Sequence, residues 1–188
     1  MPKYKLKSNA PLANHKNVIN KIKISSIEKV ELFSLAIPID GEKKAKTALA
    51  KVIKCKIPSP GNCVVSVEQK LKLLRLAPEQ ALLYFSNQNL PQIQKTLQAL
   101  KKSFYITEQS DAWSGIKVSG QQVIACLERI CPIDLSYDSF GINCFARTSM
   151  EHLNTIIIRN KRTEFELFSG SSSAKSFLHA IETSAQNI

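Results

Sequence analysis

Two aspartates four residues apart, Asp134 and Asp138, have the spacing of a carboxylate pair for general acid–base chemistry. Cys131, just before them, is a candidate nucleophile. For each of these interpretations there is a simpler structural alternative. Aspartates beside Ser136 and Ser139 commonly form turns, and the carboxyl end of a helix raises the pKa of a thiol instead of lowering it. The turn and the packed thiol are the favoured interpretations, so the sequence names no catalytic residue.

Glycine and serine clusters suggest a second kind of chemistry, the binding of phosphates or other anions by free backbone N–H groups. Residues 169–173 (SGSSS) precede a predicted helix, although a strand-to-helix loop with a capping serine is the commoner outcome. Gly115 and Gly120 lack the third glycine and the following acidic residue of a dinucleotide-binding turn. The sequence contains neither a G-x-x-x-x-G-K-[ST] loop nor a G-x-S-x-G elbow. We therefore predict no cofactor-binding residue on this chain.

The cysteines and histidines do not follow a metal-binding pattern. The cysteine count is odd, no C-x-x-C pair exists, and no histidine has the spacing of a zinc ligand. We expect packed thiols and neither a metal site nor a disulfide framework. The residues concerned are Cys55, Cys63, Cys126, Cys131 and Cys144, with His15, His152 and His179.

The segment from Asp111 to Leu135 (DAWSGIKVSGQQVIACLERICPIDL) has the clearest local pattern. Trp113, Ile116 and Val118 alternate with polar residues and predict a strand. After Ser119-Gly120, apolar residues recur with the helical period and predict an amphipathic helix that Ser119 caps and that Cys131-Pro132 ends. The apolar face of that helix is Val123, Ile124, Leu127, Ile130 and Cys131. Trp113, the only tryptophan, suits either an interface or the core.

This order of strand, Ser-Gly, helix and CPIDL resembles the gamma subunit of heterotetrameric sarcosine oxidase, and the LAPEQALLYF stretch before it resembles another part of that family. The family commonly has Pro where this chain has Gln121, and Gly where it has Ala77 and Ile130. The resemblance extends from Val30 to about Ala185. It implies an α+β fold, a two-layer sandwich of ferredoxin-like halves with a mixed or mostly antiparallel sheet, as in the folate-binding domain of aminomethyltransferases.

The same resemblance implies a non-catalytic subunit. The whole enzyme would oxidatively demethylate sarcosine to glycine, with tetrahydrofolate and oxygen as co-substrates. In that family FAD and FMN, NAD, tetrahydrofolate and zinc are bound by the alpha, beta and delta subunits, and the gamma subunit packs chiefly against alpha. Two alternatives stay open: a stand-alone folate-dependent aminomethyltransferase-like domain, and a subunit of a related N-methylglutamate dehydrogenase.

The charge of the chain is uneven. It carries 26 Lys and Arg against 15 Asp and Glu, a net of +11, and residues 1–56 alone contribute +9, with lysine as their only basic residue apart from histidine. Lysine without arginine and with few aromatic residues does not favour a nucleic-acid partner. We expect the basic arm and helix to contact an acidic surface of the large subunit.

No apolar run is long enough for a membrane span, and the start lacks a secretory h-region, which predicts a cytoplasmic protein.

The elements that must position these residues follow from periodicity. We predict a basic N-terminal arm over 1–25 and a single α+β domain over 26–188. Within the domain the helices are expected over 42–55, from Pro91, from 121 to 131, and after Ser171–Ser173 as a cap. The strands are expected at 28–39, 63–67, 71–76, 81–85, 113–118, 140–148, 154–159 and 164–168.

Overall fold

The computed structural model describes residues 9–66, 70–86 and 89–188. It confirms the α+β class, because these residues form two sheets, in which every strand pair is antiparallel, with helices packed on them. The helices are α1 (Glu42–Val52), α2 (Leu90–Leu100), α3 (Val123–Glu128) and α4 (Ala174–Gln186).

A six-stranded sheet forms one half of the molecule, with the strand order β1-β2-β8-β11-β10-β9. Its strands come from both ends of the chain, so the first hairpin and the carboxyl-terminal half fold together. The bounds are β1 (Lys16–Ile19), β2 (Ile22–Ile27), β8 (Trp113–Ser119), β9 (Phe145–Met150), β10 (Leu153–Lys161) and β11 (Glu164–Gly170).

A five-stranded sheet forms the other half, with the order β4-β5-β6-β3-β7. It is built from the middle of the chain by successive hairpins, and β7 joins the edge beside β3. The bounds are β3 (Glu31–Ala36), β4 (Cys63–Ser66), β5 (Leu71–Ala77), β6 (Gln80–Phe85) and β7 (Tyr105–Glu108).

The two sheets pack face to face, and the helices cover their outer faces. The core between the sheets contains Leu74, Leu82 and Tyr84 from one sheet and Ile156 and Phe168 from the other. Separate cores lie between α1, α2 and the five-stranded sheet and between α3, α4 and the six-stranded sheet. Each half is therefore a two-layer unit as predicted, and the whole molecule has four layers because both faces of each sheet are buried.

The predicted boundary at residue 25 is wrong. Residues 1–8 of the predicted arm lie outside the described residues, but Lys16–Ile19 and Ile22–Ile27 are strands, and β2 pairs with β8. Ile22 and Ile24 are fully buried against α3 and α4 while Lys21 and Lys23 point to solvent. The high lysine content conceals this alternation, which is the period of a half-buried strand.

The Ser119-Gly120 turn has a role other than the predicted cap. Ser119 ends β8, and α3 begins after Gln122 with no side-chain cap hydrogen bond. Gly120 has a φ of 143°, and a Cβ on it would lie 2.3 Å from the carbonyl oxygen of Lys21. Glycine is required here because the β1–β2 turn passes directly over this backbone.

Two predicted strand ends also shift, because turns interrupt them. The strand expected to reach Ile39 ends at Ala36, since Gly41 N–H donates to the Pro38 carbonyl, and Ile39 is 95% exposed. The strand expected from Phe140 begins at Phe145, because Phe140 N–H donates to the carbonyl of Ser136 in a preceding turn.

Candidate functional site

The connections β2–β3 and β7–β8 pass between the two sheets at one end of the molecule, and two adjoining depressions of about 650 Å³ each open beside them. We call these the seam cleft. Both depressions are lined by Glu108, Ser110, Asp111 and Trp113. The cleft exists because β7 belongs to one sheet and β8 to the other, so the intervening 3-10 turn at Ser110–Ala112 bridges the seam.

Hydrogen bonds hold this bridging turn in place. Gln109 N–H donates to the carbonyl of Leu32 at 2.8 Å, and Leu32 N–H donates to Ser110 Oγ at 3.3 Å. Ser171 Oγ donates to the carbonyl of Asp111 at 2.7 Å, and Trp113 Nε1 donates to Gln109 Oε1 at 3.3 Å. Strands from both halves therefore fix the floor of the cleft.

The seam cleft is acidic on a strongly basic protein. Among the described residues, Glu28, Glu31, Glu108 and Asp111 line it together with a single lysine, Lys29. Glu28 Oε1 accepts hydrogen bonds from Ser26 Oγ and from the N–H of Asn14, which lower the pKa of that carboxyl. These carboxylates suit contact with a basic group of a partner, because opposite charges attract across an interface.

Glu31 has the opposite shift. Partial burial raises its pKa above the ordinary value of 4.5, and the neighbouring carboxylate of Glu108 adds to the effect. Ionising Glu31 is thus harder in the folded protein than in the unfolded chain. Its contribution to stability is complete below the ordinary pKa and is lost as the pH rises through the raised folded value.

Replacing Glu31 with glutamine should therefore raise the melting temperature at neutral pH, because the amide carries no charge to repel Glu108. The advantage over the unmodified protein should shrink as the pH falls through the raised folded pKa of Glu31, and it should be gone below about 4.5, where Glu31 is protonated in both states. Thermal melts recorded from pH 3.5 to 7.5 check this. The exposed Glu79 in the β5–β6 turn provides the control, Glu79→Gln, for which no such crossover is expected. An equal effect of Glu31→Gln at all pH values would contradict the assignment.

Asp134 and Asp138 lie outside the seam cleft, in the loop after α3. Asp134 Oδ1 accepts the N–H of Ser136 at 2.8 Å, and hydrogen bonds from Ser139 and Ser136 lower the pKa of its carboxyl. Asp138 is exposed in the same loop. Asp134 thus has the geometry of a turn-forming aspartate.

The candidate nucleophile Cys131 is buried at the end of α3. Burial raises the pKa of its thiol, which makes it a poor nucleophile. Burial likewise raises the pKa of Cys63 to about 11, and it raises that of Cys126 as well. The thiols pack in the cores, and the structure brings none of them to the seam cleft.

The serine and glycine candidates have structural roles. Ser171–Ser173 is a 3-10 turn ahead of α4 and makes no side-chain cap, because Ser171 donates to Asp111 across the seam. Gly115 lies within β8, between Ile27 and Phe168. Trp113 packs against the core between the sheets, as one of its two interpretations predicts, and it also lines the cleft.

A basic surface lies on the five-stranded half. Helix α1 buries Ala45 and Leu49, as its apolar period predicts, and exposes its lysines. A shallow depression of about 370 Å³ is lined by Lys43, Lys44 and Lys51 with Ser103. We call these three lysines the α1 basic surface.

Two features were not found by sequence reasoning. The cleft joins carboxylates that are about 80 residues apart in the sequence, and only the pairing of β3 with β7 brings Glu31 and Glu108 together. The second feature is Arg159, which is fully buried.

Within the described ranges, no cluster of three or more His, Cys, Asp or Glu is arranged to hold a metal ion, and none of the helices is both long and apolar enough to cross a membrane.

Comparison with known proteins defines the fold. A chain of the heterotetrameric sarcosine oxidase from Corynebacterium sp. U-96 superimposes with a TM-score of 0.76 at 19% identity, covering 88% of this chain and 84% of that one. Aminomethyltransferase T of the glycine cleavage system from Bartonella henselae superimposes with a TM-score of 0.61 at 14% identity, covering 81% of this chain and 43% of that one. No protein-family model and no curated protein matches the sequence. The chain therefore has the fold shared by these two proteins, as the sequence resemblance implied.

Proposed function

We propose that this chain is the non-catalytic gamma subunit of a heterotetrameric sarcosine oxidase. The observation that carries the proposal is the mutual coverage with a chain of such an enzyme: 88% of one and 84% of the other superimpose, so the two chains are of similar length. The resemblance of the SGQQVIACLERICPIDL region supports the same subunit. The complex would act in the cytoplasm and oxidatively demethylate sarcosine to glycine with tetrahydrofolate and oxygen.

In this proposal the chain binds no cofactor of its own. FAD, FMN, NAD, tetrahydrofolate and zinc would be held by the alpha, beta and delta subunits, and the chain would contribute surfaces for assembly, chiefly with alpha. Two surfaces of opposite charge support such a role: the seam cleft, which carries carboxylates, and the α1 basic surface. Charge complementarity of this kind governs the rate and orientation of association.

The main alternative is a stand-alone folate-dependent aminomethyltransferase-like domain, which the likeness to aminomethyltransferase T favours. This chain covers less than half of that transferase, and the seam cleft is shallow and open compared with a pocket that encloses a ligand. A subunit of an N-methylglutamate dehydrogenase would differ from the main proposal only in the amine that the other chains oxidise.

Co-purification tests the proposal. A tagged form of this chain, produced together with the candidate alpha, beta and delta subunits, should retain a stoichiometric, yellow complex that makes hydrogen peroxide from sarcosine. Purified by itself, the chain should be colourless and inactive. Elution without the other chains would overturn the proposal, and a folate titration of the isolated chain would then test the alternative.

Reversing the charge of the α1 basic surface should weaken assembly. In the triple variant Lys43→Glu, Lys44→Glu and Lys51→Glu, the affinity for the alpha candidate is expected to fall on the order of 10-fold at low ionic strength, and less at high salt because salt screens exposed charges. The measurement is the dissociation constant at two salt concentrations. The control reverses an equal number of exposed basic residues that lie on the other half of the molecule and outside residues 1–25, namely Arg129, Arg147 and Lys175. An equal loss in both variants would show that only net charge matters.

The basic arm has to be tested with a shorter deletion than the predicted boundary suggests. Because Leu12 is buried and β1 begins at Lys16, removal of 1–25 would damage the six-stranded sheet. Removal of 1–8 takes away Lys3, Lys5 and Lys7 alone among the lysines. It therefore removes this charge while leaving Leu12 and β1 in place.

A further inference from the structure

The described part of the chain begins at the edge of the seam cleft. Asn9, Ala10 and Pro11 line one of its two depressions, the one beside the β2–β3 connection. We call this the arm-side depression. Residues 1–8 directly precede Asn9 in the sequence, so they join the described part of the molecule at this depression.

Hydrogen bonds hold the chain at this edge of the cleft. Ala13 N–H donates to the carbonyl of Ala10 at 3.0 Å, and Asn14 N–H donates to Glu28 Oε1 at 2.8 Å. Leu12 is buried in the core of the six-stranded half. The chain therefore leaves the cleft at a fixed point, and eight residues reach at most about 28 Å from it. The arm-side depression lies well within that reach.

The arm-side depression carries a net negative charge. Among the described residues its lining contains one cation, Lys29, and the carboxylates of Glu28, Glu31, Glu108 and Asp111. Within the same ranges, none of the last three carboxylates forms an ion pair. They are therefore available to a cationic group that enters the depression.

Two cations outside this lining do not reverse the balance. Lys16 is near enough to help lower the pKa of the Glu28 carboxyl, after the hydrogen bonds to that group, and it offsets one carboxylate at most. Arg147 donates to Asn154 Oδ1 at 3.1 Å, and Asn154 lines only the other depression. The arm-side depression thus keeps an excess of negative charge.

Residues 1–8 have the complementary composition. The segment MPKYKLKS contains three lysines and no acidic residue, and the lysines alternate with Tyr4 and Leu6. Such alternation suits a surface that offers both charged and apolar contacts. The depression has both, because Val30 and Trp113 line it beside the carboxylates.

We propose that the arm-side depression is the docking site of residues 1–8 of the same chain, with their lysines against Glu31, Glu108 and Asp111. Attachment at Asn9 favours this occupant over a separate molecule, because a short tether supplies an effective concentration on the order of a millimolar. The inference concerns the isolated chain and does not rest on the proposed function. In a complex, an acidic surface of a partner would compete with the cleft for the same lysines.

Trp113 provides the signal for a test, because it is the only tryptophan and lines the depression. Deletion of residues 1–8 should make its fluorescence more sensitive to quenching by acrylamide. The synthetic peptide MPKYKLKS should restore the protection of the shortened chain in a saturable manner, and less so at high salt. Unchanged quenching after the deletion would overturn the proposal. So would the absence of peptide binding at millimolar concentrations, the level that the tether supplies.

Matched controls test whether charge is the cause. A peptide with all three lysines replaced by glutamine should bind on the order of 10-fold more weakly, and so should the unmodified peptide to a shortened chain that carries Glu108→Gln and Asp111→Asn. The control pair Glu79→Gln and Asp138→Asn removes two exposed carboxylates that line neither depression, and it should leave the affinity unchanged. Equal binding of both peptides, or an equal loss in both double variants, would contradict the proposal.

The full-length chain supplies a second measurement, which does not depend on the folding of the shortened one. In it, Glu108→Gln with Asp111→Asn should raise the quenching of Trp113 as the deletion does, and no increase would overturn the proposal. Protection of Trp113 in the unmodified chain should not depend on protein concentration. Protection that rises with concentration would instead place residues 1–8 of a second copy in the depression and overturn the contact within one chain. Co-purification tests the proposed function separately, so each proposal can fail without the other.

Discussion

Replacing Lys72 with methionine is expected to lower the free energy of unfolding by about 3 kcal/mol, the cost of leaving a buried charge without its partner. Lys72 on β5 and Glu166 on β11 form an ion pair between the two sheets, with side chains only 12% and 13% exposed. Lys72 Nζ also donates to Asn160 Oδ1 at 2.7 Å. Without the ammonium group, the Glu166 carboxylate stays between the sheets with no cation.

Removing both charges should cost less than removing one. The double variant Lys72→Met and Glu166→Met is expected to lie within about 1 kcal/mol of the unmodified protein, because the two desolvation penalties disappear along with the attraction. Urea unfolding of the single and double variants measures the coupling directly. The exposed pair Glu42–Lys46 on α1 is the matched control, and Lys46→Met should leave the free energy of unfolding nearly unchanged, because solvent screens an exposed pair. A double variant as unstable as the sum of both single variants would contradict this account.

Replacing Arg159 with methionine is also expected to destabilise the protein by about 3 kcal/mol. Methionine fills much of the same volume but removes the donors that Arg159 supplies to the carbonyls of Phe140 and Arg162. The Ser136 carbonyl loses one of its two donors and keeps the N–H of Phe140. The destabilisation is partly offset because methionine carries no charge that burial penalises. The same penalty lowers the pKa of the Arg159 guanidinium in the folded protein.

The control for this variant is Arg147→Met on the edge strand β9. Arg147 is exposed and donates a hydrogen bond to Asn154 Oδ1 at 3.1 Å, so its replacement should cost less than about 1 kcal/mol. Chemical denaturation of both variants gives the comparison. If Arg159→Met is as stable as Arg147→Met, then the loop 134–142 is held by other contacts.

Local pattern was sufficient for most elements. The apolar period of α1 places Ala45 and Leu49 inward, and the structure buries both. The alternation in β8 likewise places Ile116 and Val118 in the core. These elements are predictable because each turns one apolar face towards a core between helices and a sheet, and a repeat of 3.6 or 2 residues records such a face directly.

The first hairpin was missed although a signal was present. Ile22 and Ile24 alternate with Lys21 and Lys23, and Asn20 and Lys21 adopt positive φ in the two-residue turn before β2. Asparagine is a common residue in such turns. The six lysines of residues 1–25 led to the prediction of a solvated arm. The alternation of Ile22 and Ile24 with lysines indicated a strand instead.

The sequence by itself determined the α+β class, the helical faces, most of the strands and the uneven charge, because all of these depend on residues close together in the chain. Tertiary structure alone decided the two-sheet arrangement, the seam cleft, the Lys72–Glu166 pair and the burial of Arg159. Each of these depends on contacts between residues far apart in sequence. Lys72 and Glu166, for example, are 94 positions apart. Strand pairing and sheet packing bring such residues together, and a periodicity within one segment carries no information about which distant segment will face it.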